Sequence, residues 1–286
     1  MKILVTGATG YLGRAIADHL GEQSSVIRWG HAQTGDEAMR VDLRDDAALR
    51  MALHAAAPDV VVHCAAYRDP DFCEEHPEET RRVNVRPVQT MAETLPAQTR
   101  FIFISSDYVF DGENPPYREE DERCPVNVYG RSKQEAEDAL AGRDHTIILR
   151  IPLLVGAGPS FAASGLIAKI ARAIMENQRM ELDAVSLRFP TSIRDVARAV
   201  DHLWKLHAEG VFHYSSEEGR SQYDWALLVA QCMGADPRML TPVDAPPARK
   251  AVRPRNSQLN IERIKRSGFN ENTPFTAVVK EVLAIP

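Results

Sequence analysis

A glycine-rich turn directly after the first apolar segment is the feature that most restricts how this chain can fold. The run I-L-V at 3–5 is followed by T-G-A-T-G-Y-L-G at 6–13. Gly7 would permit a tight turn, Gly10 a close approach of a pyrophosphate, and Gly13 close packing of a helix on a sheet. Such turns also serve purely structural corners, but the strand-turn-helix setting favours dinucleotide binding at the helix amino end. The predicted cofactor contacts here are Gly7, Thr9, Gly10, Tyr11, Leu12 and Gly13.

Short apolar segments alternate with amphipathic helical segments along the first half of the chain. Strands are predicted near 2–6, 24–29, 60–64, 101–105 and 146–150. This alternation predicts an α/β fold of the Rossmann type, in which a doubly wound parallel sheet binds ligands beyond the carboxyl ends of its strands. Residues 1–155 are therefore predicted to form a dinucleotide-binding domain.

The pattern loosens after residue 155, where helices, short strands and loops are mixed. We expect residues 156–286 to form a smaller substrate-binding region over the crevice. The predicted helices are 161–176, 193–207, 222–234 and 274–284, with a short strand at 210–214. Residues 242–254, rich in Pro and Ala, are predicted to be a linker loop.

A hydroxyl, a phenol and an ammonium occur at the spacing that carbonyl reduction requires. Ser106 ends a predicted strand, and the segment Y-G-R-S-K contains Tyr129 and Lys133. Residues four apart share a helix face, so Lys133 could favour the Tyr129 phenolate by its charge. Tyrosine four residues before lysine is also common on solvated helix faces. Of the seven tyrosines, however, only Tyr129 has this spacing, and the glycine turn supports the catalytic interpretation.

The second predicted strand indicates which dinucleotide is bound. The stretch S-V-I-R-W-G-H at 25–31 contains no Asp or Glu to hold the ribose hydroxyls of NAD. Arg14, Arg28 and His31 could instead accommodate a 2′-phosphate, so NADP(H) is predicted to be preferred over NAD(H), with Arg28 as a contact. The alternative is that these cations are ordinary surface residues.

Three further segments are predicted to approach the cofactor. Asp42 could accept from an adenine amino group, although helix capping by Asp42 or Asp45 explains its position equally well. The apolar strand at 60–64 ends in small residues that would let a cofactor pass. Asn84 could bind near the site or be an ordinary polar helix residue. The predicted contacts are Asp42, Leu43, Cys64, Ala65, Ala66 and Asn84.

Composition excludes several classes of protein. The formal net charge of −6 gives no reason to expect a nucleic-acid partner. The four cysteines form no C-x-x-C pair, so neither a disulfide framework nor a zinc site is expected. The chain reaches Gly7 too soon for a signal peptide and has no apolar run long enough to span a membrane. These features predict a cytoplasmic protein with reduced thiols.

The motifs together resemble the extended short-chain dehydrogenase/reductases, and within them the dTDP-4-dehydrorhamnose reductase branch. The resemblance spans essentially the whole chain. It rests on T-G-A-T-G-Y-L-G, H-C-A-A, I-S-S-D-Y-V-F-D-G, N-V-Y-G-R-S-K, L-R-I-P-L-L-V-G and R-P-R-N-S-Q-L. The stretch 105–133, with N-P-P-Y-R-E-E-D inside it, and R-F-P-T at 188–191 also resemble the regulatory β subunits of methionine adenosyltransferase, which belong to this branch.

This resemblance implies roles for individual residues. Ser106 would polarise the substrate carbonyl, Tyr129 would donate the proton, and Lys133 would bind the nicotinamide ribose. The strand that leads out beneath the nicotinamide would supply backbone contacts from Arg150 and Pro152. Part of the carboxyl-terminal half would return to the main sheet. The acidic metal site of some reductases in this branch has no clear counterpart, so no metal is predicted.

A nucleotide-diphosphate substrate needs cations, and arginine suits phosphate because its guanidinium can bind two oxygens at once. The charged run 249–255 and the R-F-P-T motif supply several such residues. A solvated loop or surface salt bridges would explain each arginine equally well. The predicted substrate contacts are Tyr108, Arg188, Arg253, Arg255 and Asn256.

Two classes of function follow from the resemblance. One is an NADPH-dependent reductase of a 4-keto group on a nucleotide-activated deoxysugar, as in the last step of dTDP-L-rhamnose synthesis. The other is an NADP-binding regulatory protein whose partner is a methionine adenosyltransferase. The apolar tail 282–286 could insert into such a partner or cap its own core. An epimerase or dehydratase is disfavoured by the branch-specific motifs, and a homodimer is common among relatives.

Overall fold

The computed structural model describes residues 1–31, 38–244 and 249–285, and its central element is a parallel sheet. Seven of the described strands form this sheet in the order β10-β6-β5-β4-β1-β2-β3, and every adjacent pair is parallel. The strands are β1 (Lys2–Thr6), β2 (Ser25–Gly30), β3 (Met39–Arg40), β4 (Val60–His63), β5 (Arg100–Ser106), β6 (Thr146–Ile151), β7 (Leu154–Val155), β8 (Met180–Asp183), β9 (Thr191–Ser192), β10 (Gly210–His213) and β11 (Leu240–Val243). The predicted α/β, doubly wound fold is confirmed.

Helices cover both faces of this sheet. They are α1 (Tyr11–Gly21), α2 (Asp46–Ala56), α3 (Pro70–Glu75), α4 (Pro77–Asn84), α5 (Arg86–Thr94), α6 (Val128–Asp138), α7 (Gly165–Met175), α8 (Ile193–Lys205), α9 (Gln222–Met233), α10 (Glu262–Arg266) and α11 (Phe275–Leu283). Helices α1 and α8 pack on one face, and α2, α5 and α6 pack on the other. Two hydrophobic cores therefore lie on opposite sides of one sheet.

The central strands are mainly apolar because both of their faces are covered. Every residue of β4 and β6 is buried. Successive side chains alternate between faces, so Ile147 and Leu149 join the core under α1 and α8, whereas Ile148 joins the core under α6. This alternation also decides which way the polar residues of these strands point.

A third core lies outside the main sheet. Helices α7, α9 and α11 pack around Trp225, Ile170 and Leu182, beside the two-stranded pairing of β8 with β11. The tail residue Val282 is fully buried in this core. Strand β11 covers the first residues of the predicted linker loop at 242–254. Strand β10 and helix α8 return to the main sheet, while the division of the chain at residue 155 remains a prediction.

The carboxyl ends of β1, β4, β5 and β6 meet at one edge of the sheet, as parallel strands require. The glycine turn follows β1, and Ser106 ends β5. These two predicted functional segments therefore open into the same crevice. Among the described residues, no helix has the length and apolar character needed to cross a membrane.

Candidate active site

The crevice is a cavity of about 590 Å³ that extends from the glycine turn to the carboxyl-terminal region. The predicted cofactor residues on its wall are Gly7, Thr9, Gly10, Tyr11, Leu12, Gly13, Asp42, Leu43, Cys64, Ala65, Ala66 and Pro152. Ser106, Tyr129 and Lys133 line it as well. One cavity thus brings together the predicted dinucleotide turn and the predicted catalytic residues.

The glycine turn is built so that nothing larger than hydrogen fits at two of its positions. Gly7 has a positive φ of 67°, and a Cβ there would lie 2.9 Å from the backbone of Ala65. A Cβ on Gly13 would lie 2.2 Å from the carbonyl oxygen of Gly7. Helix α1 begins at Tyr11 with Gly10 as its N-cap, and no side chain caps its first turn. The free amides at this helix end fit a dinucleotide pyrophosphate.

Helix α6 holds the predicted proton donor in place. Asn127 caps the helix by accepting from the Gly130 amide at 2.8 Å. Gly130 lies so close to the chain after β5 that a Cβ would be 2.1 Å from the Tyr108 carbonyl oxygen. The half-buried Tyr129 therefore lies beside Ser106, and its ring packs edge-on against Tyr108 at a centroid distance of 5.9 Å.

Lys133 lies one helical turn further along, with its ammonium buried under the cavity floor. Its Nζ donates to the Ile104 carbonyl at 2.9 Å and lies 4.9 Å from the centroid of the Phe103 ring. Burial lowers the pKa of Lys133 to about 8, against the raising effect of Cys64 and Glu137. The amine therefore stays largely charged at neutral pH.

The expected lowering of the Tyr129 pKa is wrong for this arrangement. Burial raises the pKa of the Tyr129 phenol, and a hydrogen bond with Ser106 offsets only part of that rise. Among the described contacts, Lys133 is bonded to Ile104 rather than to the phenol. Tyr129 is consequently a protonated phenol at neutral pH, which is the form that can donate a proton.

Asp107 is a buried carboxyl that sequence analysis did not identify, although it follows Ser106 directly. It accepts from the Ser106 hydroxyl at 3.0 Å and from the Ser257 hydroxyl at 2.5 Å. Burial raises its pKa to about 6, although both serines and the charge of Arg188 act in the opposite direction. The carboxyl lines the cavity and is half protonated near pH 6.

Arg28 does not lie where the 2′-phosphate prediction requires. It occupies the face of β2 that carries α1, and its guanidinium is ion-paired with Asp18 of that helix at 2.6 Å. It is absent from the cavity wall, which instead contains His31 and Arg44. Arg44 follows the predicted contacts Asp42 and Leu43 directly, and this position was the signal that sequence analysis missed.

Asp42 is positioned for the adenosine end of a dinucleotide. Both of its carboxylate oxygens accept from Arg44, at 2.9 and 2.8 Å, which holds the Asp42 pKa well below its usual range. Helix α2 is capped by Asp45, whose side chain accepts from the Ala48 amide at 3.0 Å. Asp45 is therefore the residue that caps α2, and Asp42 lines the cavity.

Asn84 and Arg150 are both buried behind the cavity wall rather than on it. The Asn84 side chain accepts from the Tyr67 amide at 2.8 Å. It donates to the Tyr67 carbonyl at 3.0 Å and to the Ser132 hydroxyl at 2.9 Å. Arg150 points to the α6 face of β6, where it makes a two-point ion pair with Glu137 at 3.0 and 2.7 Å. Asn84 therefore bonds to backbone near the site, and both side chains support the cavity wall from behind. Cofactor contacts of Asn84 and of the Arg150 backbone remain predictions.

The substrate end of the cavity is lined by Tyr108, Arg188 and Arg253, as predicted, and also by Arg249. Arg253 is held by both oxygens of Asp71 at 2.9 Å. The predicted contacts of Arg255 and Asn256 are not found, since both lie off the cavity wall. Arg255 is exposed, and Asn256 uses its side chain to accept from the Gln258 amide.

The part of the chain that the structure describes contains no group of three or more His, Cys, Asp or Glu side chains that could hold a metal ion. The four cysteines are free thiols. Burial raises the pKa of Cys64, which lines the cavity, to about 12, so this thiol stays protonated.

Comparison with known proteins agrees with the family to which the motifs point. The family model for the RmlD substrate binding domain matches residues 1–285. The β subunit of methionine adenosyltransferase 2 from Pongo abelii is 35% identical over 290 residues, covering 99% of this chain and 87% of that protein. A probable low-salt glycan biosynthesis reductase from Haloferax volcanii is 31% identical over 274 residues, covering 93% of this chain and 91% of that protein.

A solved structure shares the whole architecture. The dTDP-4-dehydrorhamnose reductase of Clostridium acetobutylicum superimposes with a TM-score of 0.87 at 28% identity, covering 99% of this chain and 98% of that one. The family predicted from the sequence motifs is thereby confirmed. This chain belongs to the RmlD family of extended short-chain dehydrogenase/reductases, whose fold is that of NAD(P)-dependent oxidoreductases.

Proposed function

We propose that this protein is an NADPH-dependent reductase of a 4-keto group on a nucleotide-activated deoxysugar. The observation that carries the proposal is the convergence of Ser106, Tyr129 and Lys133 on the cavity that also contains the glycine turn. A purely structural glycine corner would not require a buried lysine and a protonated phenol at the other end of the same cavity. The relatives named as reductases support the same reaction class.

Each part of the cavity has a defined task in this reaction. The bound NADPH supplies hydride. The amides at the start of α1 bind the pyrophosphate, and the Lys133 ammonium is available to ribose hydroxyls. The phenol of Tyr129 donates its proton to the substrate oxygen as the carbonyl becomes an alcohol. Burial of the phenol keeps that proton in place until it is needed.

The two ends of the cavity support the choice of cofactor and substrate. Arg44 offers a cation beside Asp42 and His31, at the end where a 2′-phosphate would lie, so we propose that NADP(H) is preferred. Arg188 and Arg253 offer cations at the other end, where a sugar-nucleotide diphosphate would lie.

The proposal is tested by following NADPH absorbance while the purified protein meets a dTDP-4-keto-6-deoxy sugar. We expect oxidation by the wild type and its loss in Tyr129→Phe, which removes the hydroxyl that donates the proton and keeps the ring. Tyr223→Phe on helix α9, outside the cavity wall, is the matched control and should oxidise NADPH at the wild-type rate. Tight NADPH binding without oxidation would contradict the proposal.

A second function is favoured by the 35% identity with a methionine adenosyltransferase β subunit. In this alternative the protein binds NADP, docks onto a methionine adenosyltransferase and modulates it without reducing a sugar. Co-purification with the methionine adenosyltransferase of the same cell is the decisive measurement. A clean absence of that enzyme from the purified protein would remove the alternative.

A further inference from the structure

The segment 249–256, here called the strap, is fastened to helix α3. Asp71 of that helix accepts from the Ala251 amide at 2.9 Å and from two nitrogens of Arg253, each at 2.9 Å. Lys250 forms an ion pair with Glu75 on the same helix. The strap is therefore held against α3 by both its backbone and its side chains.

The strap is also fastened to the helix that carries the proton donor. Asn127, which caps α6, donates from Nδ2 to the Val252 carbonyl at 2.7 Å and is fully buried. The chain after β5 meets the strap closely, because a Cβ on Gly112 would lie 2.8 Å from Pro254. These contacts fix where the first residue of the strap, Arg249, lies relative to the active-site helix.

Arg249 places its guanidinium on the cavity wall at the substrate end. Arg188 and Arg253 line the same cavity, and the charges of all three arginines act on the Tyr108 phenol. Arg249 is exposed to solvent on one side. Desolvation at the cavity wall lowers the pKa of Arg249, and repulsion by Arg253 and Arg188 lowers it further. A bound anion would offset the repulsion between this guanidinium and the other two.

The three arginines differ in how their charges are used. Arg253 is neutralised by Asp71, and Arg188 donates to the backbone carbonyls of Leu187 and Pro254 at 2.7 and 3.1 Å. Within the described ranges, Arg249 has no hydrogen bond or ion pair to another side chain. The adjoining residues outside those ranges, 245–248, are Ala-Pro-Pro-Ala and carry no side-chain charge. Among the described residues, the N–H groups of Arg249 are therefore available to donate to a ligand.

We infer that Arg249 is the specificity residue for the diphosphate group of the sugar nucleotide, binding it opposite Arg188. The inference rests on the proposed function and extends it to a residue that the motifs did not single out. A diphosphate carries at least two negative charges, and a guanidinium can bind two of its oxygens at once. The pyrophosphate of the dinucleotide is a separate anion, assigned to the glycine turn at the start of α1.

Calorimetric titration of the NADP⁺-loaded full chain with dTDP, UDP and dTMP tests this role without requiring turnover. Arg249→Ala should weaken dTDP and UDP binding by about tenfold to a hundredfold, the range for a hydrogen bond to a charged group. It should affect dTMP less and leave the affinity for NADP⁺ unchanged. Arg249→Lys should recover part of the loss, because it restores charge without the planar fork.

Arg255→Ala is the matched control, because Arg255 belongs to the same strap and is exposed like Arg249, but lies off the cavity wall. It should bind dTDP and UDP as the wild type does. Wild-type affinity in Arg249→Ala, or no diphosphate binding by the wild type, would overturn the assignment. An equal loss of NADP⁺ affinity would overturn it too, by assigning Arg249 to the cofactor. Arg249-dependent binding without sugar reduction would leave the assignment standing and remove only the reductase function.

Discussion

The Ser106 hydroxyl donates to the carboxylate of Asp107 at 3.0 Å while accepting from the Tyr108 amide at 3.2 Å. A serine hydroxyl has one proton to give, so this proton points at Asp107 whenever the carboxyl is ionised. Ser106 also lies within hydrogen-bond reach of the Tyr129 phenol. Polarisation of a substrate carbonyl by Ser106 therefore requires that Asp107 release the serine proton.

The buried Asp107 carboxyl predicts a pH dependence of stability. Its folded-state pKa of about 6 lies above the ordinary value of 3.8, so the folded protein favours the neutral acid. This contribution to the free energy of unfolding is complete below about pH 4 and is lost as the pH rises through about 6, by up to about 3 kcal/mol. The carboxyl is only 4% exposed, so solvent screening does not remove the effect.

Urea unfolding of the wild type and Asp107→Asn at several pH values measures this contribution. The amide does not titrate, so the wild type should lose stability relative to Asp107→Asn between about pH 4 and pH 7.5. The test is how the difference in free energy of unfolding between the two proteins changes with pH. Its size at one pH is not the test, because Asp107→Asn also alters the hydrogen bonds to Ser106 and Ser257. A difference that stays constant with pH would contradict the raised pKa.

The same carboxyl predicts a pH dependence of reduction. As the pH falls through about 6, Asp107 becomes neutral and Ser106 is released to donate to the substrate oxygen. The rate of NADPH oxidation should therefore rise towards low pH. Ser257→Ala removes a hydrogen bond that favours the ionised form, so it should move this rise to higher pH. A profile that is flat in this range, and unchanged in Ser257→Ala, would show that Ser106 works independently of Asp107.

The tight contact between Gly13 and the glycine turn predicts that a methyl group there disrupts the fold locally. Gly13→Ala would place a Cβ 2.2 Å from the Gly7 carbonyl oxygen and should lower the free energy of unfolding by about 1–3 kcal/mol, the usual cost of overpacking. NADP⁺ affinity should fall with it. Gly21→Ala, at the other end of α1, meets only the tip of Arg28 at 3.8 Å and should be neutral or slightly stabilising. Denaturant unfolding of the two variants compares these outcomes.

Cofactor choice is predicted to depend on Arg44 rather than on Arg28. Asp42 occupies Nε and Nη2 of Arg44, which leaves N–H groups of the guanidinium for a 2′-phosphate. Arg44→Ala should therefore weaken NADPH binding about tenfold more than NADH binding, as the loss of a charge-assisted hydrogen bond predicts. Arg28→Ala should leave the ratio of the two affinities unchanged, since Arg28 is engaged by Asp18. A change in that ratio caused by Arg28→Ala would restore the first assignment.

The strands and the catalytic spacing were predictable because local sequence determines them. Strand β1 has the predicted bounds, and the other predicted strands begin and end within one residue of those observed. A strand buried on both faces must be apolar along its length, and a parallel sheet brings the carboxyl ends of such strands together. These two rules place the glycine turn and Ser106 in one crevice without further information.

The errors arise where the direction of a side chain decides its role. Arg28 belongs to a strand that meets the cavity, but the pleat turns its guanidinium towards α1, where it pairs with the exposed carboxylate of Asp18. Arg249 reaches the cavity only because the strap is fastened to α3 and α6, which are far away in the sequence. Contacts of this kind depend on tertiary packing, which motif spacing does not report.

The ion pair of Glu137 with Arg150 predicts the largest loss of stability. Both side chains are only 3% exposed, and Glu137 also accepts from Ser105 at 2.5 Å. Glu137→Gln would leave the Arg150 charge buried without a partner, so we expect the free energy of unfolding to fall by about 3–5 kcal/mol. Glu135→Gln on the same helix is the control: its exposed ion pair with Arg81 is worth less than about 1 kcal/mol. Denaturant unfolding at neutral pH separates the two, and equal losses would show that the buried pair adds nothing beyond a surface pair.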